Sequence, residues 1–572
     1  MRRLVLFIMC AALALSGCSS GSSSGGGQSA TGKADGAENE NADHSDKSEK
    51  PELEILGEER EDFYRAVDTR AQKTTSDPNA YKLKSLGDSG DQAATAQGQS
   101  QTAKDYTMMV YIIGSNLESR LGAATYDIEE MRDAGLDYDK TNLLVYTGGS
   151  RRWVSDIPNN TNNVLDLSED AETQITAQTS KSANMGDFQT LAEFINYSTQ
   201  NYPAEHYGLI LWDHGGGPLW GYGSDELFGN DCLVFKELRE ALDNTDFGPE
   251  NKLDFVGFDA CLMGSVENAN LWKDYAHYLV SSEEVEAGKG WDYHFLSVLN
   301  ESQAPEDVVK SIINSFGSFY ENSKNSFYNP DATLSAMDLS QTENLVEAIN
   351  SLFSVMDQDI KEGNYAQINR ARCKAKAFGL KAVGNIDESY DLIDLKDFAE
   401  QTKSLFPEES RSVVEAVDKI VIASTSNVDG AGGVSIYFPG NNKSLYDASE
   451  QMDRDNVAIS SDYRSFVKSY TDEWYSESEI MWNLPGLEND NGELVIHLNS
   501  DQARNVSQAY YSILRRVEEE YYSPVMMNIP IDADENGVLR IPADPMVATV
   551  VSDEYESSLP WNCRQIERKG DV

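Results

Sequence analysis

The sequence predicts an α/β protein, a mostly parallel sheet flanked by helices, followed by a β-rich carboxyl-terminal module. Apolar runs alternate with stretches of helical spacing: "YTMMVYIIG" (106–114), "NLLVYTGG" (142–149), "HYGLILW" (206–212) and "LDFVGFDAC" (253–261). Such alternation argues for parallel strands with helices on both faces. From about Leu484 the pattern changes to Asn-Gly pairs between short apolar runs, "NDNGELVIHL" and "DADENGVLRIP", as in β-hairpins. The chain has 572 residues, ample length for more than one core.

The first 17 residues read as an export signal, with Arg2 and Arg3 before the apolar "LVLFIMCAALAL". That run is too short for an ordinary transmembrane helix. It ends in "LSGC", Leu15 to Cys18, which resembles a bacterial lipobox. The resemblance implies that Cys18 is lipidated and becomes the first residue of a chain held at the membrane, outside the cytoplasm. Plain secretion after a small-residue cleavage site is the other reading. Residues 18–105, rich in Gly, Ser and acidic residues, cannot bury enough apolar surface to offset their ordering entropy and read as a tether. A short helix is expected near "EREDFYRAVDTRAQ".

Residues 106–475 read as the main domain. After the first strand, "LESRLGAATYDIEEMRDAG" predicts a helix ending at Gly135. The second strand is followed by a polar excursion to about Met185. Asp187 is placed to cap "FQTLAEFINYSTQ", in which Phe188, Leu191, Phe194 and Ile195 share a face. "CLVFKELREAL" and "SVENANLWKDYA" read as helices around the fourth strand, and "HYLVSSEE" as a fifth strand. Further helices follow in "PEDVVKSIINSFGSFY" and "TENLVEAINSLFSVMDQDI", and "GGVSIYFPG" reads as a strand. Residues 476–572 form the terminal module. Its "DADENG" opens like a calcium-binding loop, but the twelfth position is Ala543 where a bidentate Glu is required, so a turn is the better reading.

Forty-six basic against 96 acidic residues give a net charge of −50. This argues against nucleic acid and against docking on anionic lipid, both of which favour basic patches. The expected partners are protein or peptide substrates, with the membrane reached through the lipid alone and the protein a monomer. Acidic loops leave room for calcium, and no cofactor is needed for chemistry. Of six cysteines, Cys10 and Cys18 belong to the signal region; Cys232, Cys261, Cys373 and Cys563 are too few for a disulfide scaffold. No Cys-x-x-Cys or His-Glu-x-x-His offers zinc a home.

The chemistry concentrates at two strand ends, "LILWDHGGG" (209–217) and "FDAC" (258–261). The carboxyl ends of parallel strands share one edge, where ligands bind. Cys261, 47 residues after His214, can therefore lie beside it. Imidazole next to a thiol favours the nucleophilic thiolate. Glycines after His214 permit close backbone approach, and the amides of Gly215 and Cys261 are candidates for an oxyanion hole. The bland reading makes His214 a capping side chain in a turn and Cys261 a buried structural thiol. His206, His277 and His294 carry no motif.

"LILWDHGGG" together with "FVGFDACLMGSVE" resembles the clostripain-like cysteine peptidases of the caspase–legumain–gingipain superfamily. "MMVYIIGSNLES", "NMGDFQTL", "YDLIDLKDFA" and "GGVSIYFP" resemble flanking segments of that family in the same order, so the resemblance runs from about Tyr106 to Gly440. It implies a caspase-like fold and a His214–Cys261 dyad with no third orienting residue. It also implies cleavage after Arg or Lys, selected by carboxylates in the S1 pocket, with Asp259 matching one of them. The position aligned with the second acid holds Lys289, which would weaken basic selectivity if it entered the cleft; Glu283 or Glu284 could compensate. Two functions are thus expected to compete: a lipid-anchored cysteine endopeptidase, and a non-catalytic scaffold on the same fold.

Overall fold

The computed structural model describes residues 4–10, 79–86, 103–168, 175–286, 289–322, 332–379, 390–440 and 459–475, with short strand segments between 488 and 565. These fall into two compact units, the larger between Arg60 and Trp482.

The larger unit is built on a 10-stranded sheet. In chain order its strands are β1 (Lys84–Ser85), β2 (Lys104–Ile113), β3 (Thr141–Gly148), β4 (Asn163–Asp166), β5 (Ile175–Gln178), β6 (Ala204–Trp212), β7 (Leu253–Asp259), β8 (Ala276–Ser281), β9 (Thr333–Asp338) and β10 (Val421–Ser426). Their spatial order is β10-β9-β8-β7-β6-β2-β3-β4-β5-β1. The central five, β8-β7-β6-β2-β3, are parallel, and antiparallel pairs extend the sheet on both sides. The predicted mostly parallel α/β sheet is therefore observed.

Alternate residues of the central strands serve two cores, as the period of two requires. Met109, Tyr111 and Ile113 join one cluster, with Leu209, Leu211 and Phe258. Met108, Val110 and Ile112 join the other, with Ile210, Trp212 and Phe255. Both faces are buried, which explains why these strands read as unbroken apolar runs. Asp187 caps the predicted helix, its carboxylate accepting from the Gln189 amide at 2.9 Å ahead of Phe188–Asn201.

Several elements differ from expectation. The helix predicted over 117–135 is broken at Gly122, whose φ of +70° separates a five-residue turn, Leu117–Leu121, from the helix Ala123–Asp133. The polar excursion holds β4 and β5, too short to register as strands in the sequence. "GGVSIYFPG" yields only Ser435–Tyr437, in a separate three-stranded sheet with Ala377–Phe378 and Leu392–Asp394.

In the smaller unit, Glu488–Asp490 pairs antiparallel with Glu493–His497, as the first Asn-Gly run predicts. Val538–Ile541 pairs with Glu493–His497 as well, whereas Tyr522–Ile531 pairs with Ala509–Arg516. The second Asn-Gly run thus joins strands of different sheets rather than closing a hairpin. Leu4–Cys10, within the amino-terminal apolar run, lies parallel to Ala509–Arg516. Cys18 lies outside the described residues.

The larger unit buries an unusual number of acids. Burial raises Asp213, Asp225 and Glu267 each to about 7. Folded, these groups hold protons that an unfolded chain releases near pH 4. Their stabilising contribution is complete below that pH and is lost as pH rises through about 7. Glu267 accepts from the Tyr437 amide at 2.9 Å, a bond that Gln retains. Glu267→Gln is expected to leave the melting temperature unchanged below about pH 4 and to raise it increasingly as pH climbs to about 7 and beyond. An identical alkaline loss in wild type and variant, measured by thermal unfolding, would exclude Glu267 as a source.

Candidate active site

Four strand ends converge at the carboxyl edge of the parallel sheet. In the β6–β7 register Trp212 pairs with Asp259, and the Asp213 amide donates to the Asp259 carbonyl at 3.3 Å. His214 and Cys261 each lie two residues beyond that pair, at the same level on adjacent strands. Their backbones meet closely at Gly215, where a Cβ would stand 1.9 Å from the Cys261 carbonyl oxygen. Glycine is obligatory there for steric reasons. Gly215 forms a bridge with Tyr222 in which the amides of Gly216 and Gly223 donate, leaving the Gly215 amide out of the ladder.

Cys261 sits in a tight turn. Leu262 adopts φ of +63°, a conformation that an L residue holds only when its surroundings over-determine it. The constraint comes from the segment after β8: the Leu262 amide donates to the Glu284 carbonyl at 3.2 Å, and that of Gly264 to Ser282 at 2.6 Å. The Glu286 amide donates to Cys261 Sγ at 3.3 Å, an interaction that favours the thiolate. Cys261 is half-buried, whereas Cys232 is buried and donates to the Trp220 carbonyl at 3.2 Å.

His214 is buried, and its Nε2 lies 2.6 Å from Asn116 Oδ1. Asn116 comes from "GSN", directly after β2, a segment whose role the sequence reading missed. Asp213 lies 4.0 Å from the same nitrogen. Its oxygens accept instead from Ser115 Oγ at 2.6 Å and the Ser224 amide at 2.5 Å.

Asp259 is buried in an acidic cluster. Tyr293 Oη donates to it at 2.8 Å and the Trp291 amide at 3.3 Å. Burial raises it to about 6, and Glu130 adds to the shift. Glu286 faces Asp259 and is raised well above the usual range by burial and by that carboxylate. Asp127 is raised likewise by burial and by Asp259, while accepting from Trp212 Nε1 at 2.6 Å.

Lys289, Glu283 and Glu284 each have partners other than Asp259. Lys289 is exposed, and its ammonium stands 5.9 Å from the centre of the Phe319 ring. The charges acting on Asp127, Asp259 and Glu286 come from other carboxylates. Glu283 and Glu284 do not compensate at Asp259. Glu283 accepts from the Gly433 amide at 2.8 Å, and Glu284 from the amides of Val285 and Gly379 at 2.8 and 2.9 Å. Both fasten backbone. The acid opposite Asp259 is Glu286, three positions from the one aligned by sequence.

Glu130, Asp292 and His294 bring ligand atoms within 4.8 Å of one another. His294 Nδ1 and Asp292 Oδ1 already share a hydrogen bond at 2.6 Å. Two carboxylates and an imidazole also fall short of the six to eight oxygens that calcium prefers. No described helix is long and apolar enough to cross a membrane.

Comparison with known proteins agrees with the motifs. Clostripain of Hathewaya histolytica is 30% identical over 236 residues, which span 35% of this chain and 43% of that protein, less than half its length. Among solved structures, a secreted C11 cysteine protease from Bacteroides thetaiotaomicron, in complex with an irreversible peptide inhibitor, is 21% identical. It covers 63% of this chain and 99% of its own, with a TM-score of 0.49. An inactive zymogen C11 protease from Parabacteroides distasonis is 20% identical, covers 64% of this chain and 99% of its own, and gives 0.48. The profile described as the clostripain family matches residues 110–484, which include both strand-end motifs, and the chain therefore belongs to that family.

Proposed function

We propose that this protein is an extracytoplasmic cysteine endopeptidase that cleaves after Arg or Lys, with Cys261 as nucleophile and His214 as base. The observation that carries the reading is the register of β6 and β7, with His214 and Cys261 at one level and the Gly215 backbone pressed against Cys261. The Cys261 proton passes to His214, and the thiolate adds to the scissile carbonyl carbon. The carbonyl oxygen takes the negative charge and is held by the amides of Gly215 and Cys261, each donor contributing about 3 kcal/mol. The C–N bond then breaks, and the leaving amine takes the proton from His214. Water, deprotonated by His214, hydrolyses the thioester; the carboxylic acid leaves and the thiol re-forms. Every step uses the chain's own groups.

The P1 assignment rests on Asp259 and Glu286. Two facing carboxyls, Asp259 buried and Glu286 half-buried, cannot both ionise at low cost without a cation between them, and a guanidinium or ammonium side chain supplies one. Peptide amides of a fluorophore with Arg, Lys, Asp or Asn at P1, offered to wild type and Cys261→Ala, test the whole reading. Hydrolysis after Arg and Lys by wild type alone is expected. Inert wild-type protein, or equal turnover by Cys261→Ala, would leave the scaffold reading.

"LSGC" supports attachment through a lipid on Cys18. Cys18→Ser is expected to move the protein from the membrane fraction of the producing cells to the soluble fraction. A distribution unchanged by the substitution would rule the anchor out.

A further inference from the structure

We infer that Asn116 is a positioning residue for His214, so that the site works as a Cys–His–Asn triad rather than as a dyad. The inference rests on the peptidase reading for its role in turnover, but the geometry stands independently. His214 Nε2 and Asn116 Oδ1 are 2.6 Å apart in a buried setting. An amide oxygen only accepts, so Nε2 carries the proton of the neutral ring. Nδ1 is left as the nitrogen that takes the thiol proton. Without a fixed acceptor on Nε2 the ring would sample both tautomers, and the one protonated at Nδ1 could not act as base.

Asn116 is itself held in place. Ser115, immediately before it, adopts φ of +47°, a conformation rare for serine and kept only where neighbours enforce it. Its hydroxyl donates to Asp213 at 2.6 Å and accepts from the Leu117 amide at 3.3 Å. The Gly114 amide donates to the Gly148 carbonyl at 2.8 Å, and Ser150 Oγ donates to the Ser115 carbonyl at 3.0 Å. The turn after β2 is thus tied to the end of β3 on one side and to Asp213, next to the base, on the other. These ties orient the Asn116 carboxamide toward the imidazole.

Asn116 from the β2 end and Asp213 from the histidine's own turn both face the ring. Asp213, at 4.0 Å, is too distant to hydrogen-bond the ring, and its oxygens are taken by Ser115 and Ser224. A neutral orienter fixes the tautomer without strongly favouring imidazolium, unlike a carboxylate in the same place.

The test compares wild type, Asn116→Ala and Asn116→Asp on a P1-Arg peptide across pH, with alkylation of Cys261 by iodoacetamide as a readout that needs no turnover. Asn116→Ala is expected to lower kcat about 100-fold, as misplacement of a catalytic group does, with KM within about threefold of wild type. Its Cys261 should alkylate about tenfold more slowly at mildly acidic pH, because the thiolate loses an oriented imidazolium. Asn116→Asp preserves shape and adds a charge. It should restore most of kcat at high pH and move the acid limb of the profile upward by about one unit, a shift that a merely structural residue would not cause. Wild-type kcat and alkylation in Asn116→Ala, or an unmoved acid limb in a folded Asn116→Asp, would overturn the inference while leaving the peptidase reading intact. Alkylation that depends on Asn116 in a wild-type protein with no hydrolysis would uphold the positioning role and overturn the peptidase reading.

Discussion

Cys261→Ala is expected to reduce kcat by at least about 10⁴-fold against any peptide amide, with no change in melting temperature beyond a few degrees. Loss of a covalent nucleophile removes the acyl-enzyme route altogether, and what survives is binding and the oxyanion donors. The fold should tolerate the change because Cys261 is half-buried and the turn around it is held by backbone bonds from Leu262 and Gly264. Iodoacetamide should correspondingly label Cys261 ahead of Cys232, which is buried against the Trp220 carbonyl. Substantial hydrolysis by the purified variant would remove Cys261 from the chemistry. Labelling of Cys232 first, read by peptide mass mapping, would deny Cys261 the reactivity that the site assigns to it.

The second large effect is on specificity. Asp259→Asn or Glu286→Gln is expected to lower kcat/KM for P1-Arg peptides by about 100- to 1,000-fold and to change P1-Asn peptides much less. Opposite charges about 4 Å apart at an effective dielectric near 20 interact by about 4 kcal/mol, equivalent to roughly 10³ in rate. Asp259→Asn keeps the acceptor that Tyr293 and the Trp291 amide require, so the pocket should retain its shape. The pH dependence follows from the buried acids. Asp259 is raised to about 6, so the pocket gains negative charge as pH rises through that value, and the preference for Arg over Asn at P1 should increase with it. Glu286→Gln should flatten this rise. Lys289→Asp should alter the Arg-to-Asn ratio by less than about twofold, since the Lys289 ammonium stands over Phe319 at the surface. A large gain in Arg cleavage from Lys289→Asp, with Glu286→Gln indistinguishable from wild type, would return the pocket to the sequence-based assignment.

Glu286, and not the residue that the family resemblance aligns, faces Asp259. The segment from Glu283 to Trp291 offers several acids within nine residues, and periodicity cannot order them because its described residues lie in neither strand nor helix. Which carboxylate faces Asp259 depends on how the backbone leaves β8. That path is set by bonds from Leu262 and Gly264 to the carbonyls of Glu284 and Ser282. Glu283 and Glu284 turn toward Gly433 and Gly379 instead, partners more than 90 residues away in sequence. Asn116 was missed for a related reason. "GSN" follows an apolar strand just as "DHG" does, but asparagine after glycine reads locally as turn chemistry, and only the β2–β6 pairing brings it to the histidine.

The sequence by itself determined the parallel core strands, the helix cap at Asp187, and the two strand ends that carry His214 and Cys261. These follow from apolar runs, turn residues and the rule that parallel strands end on one edge, all properties of short stretches of chain. The glycines after His214 read as permitting close approach, and the steric need for one at 215 appeared only with the Cys261 carbonyl placed against it. Tertiary structure alone decided which acid joins Asp259, that Lys289 stays outside, and that Asn116 meets the imidazole. Each of these depends on contacts between segments distant in sequence, where hydrogen bonding and burial, rather than local propensity, fix the direction of a side chain.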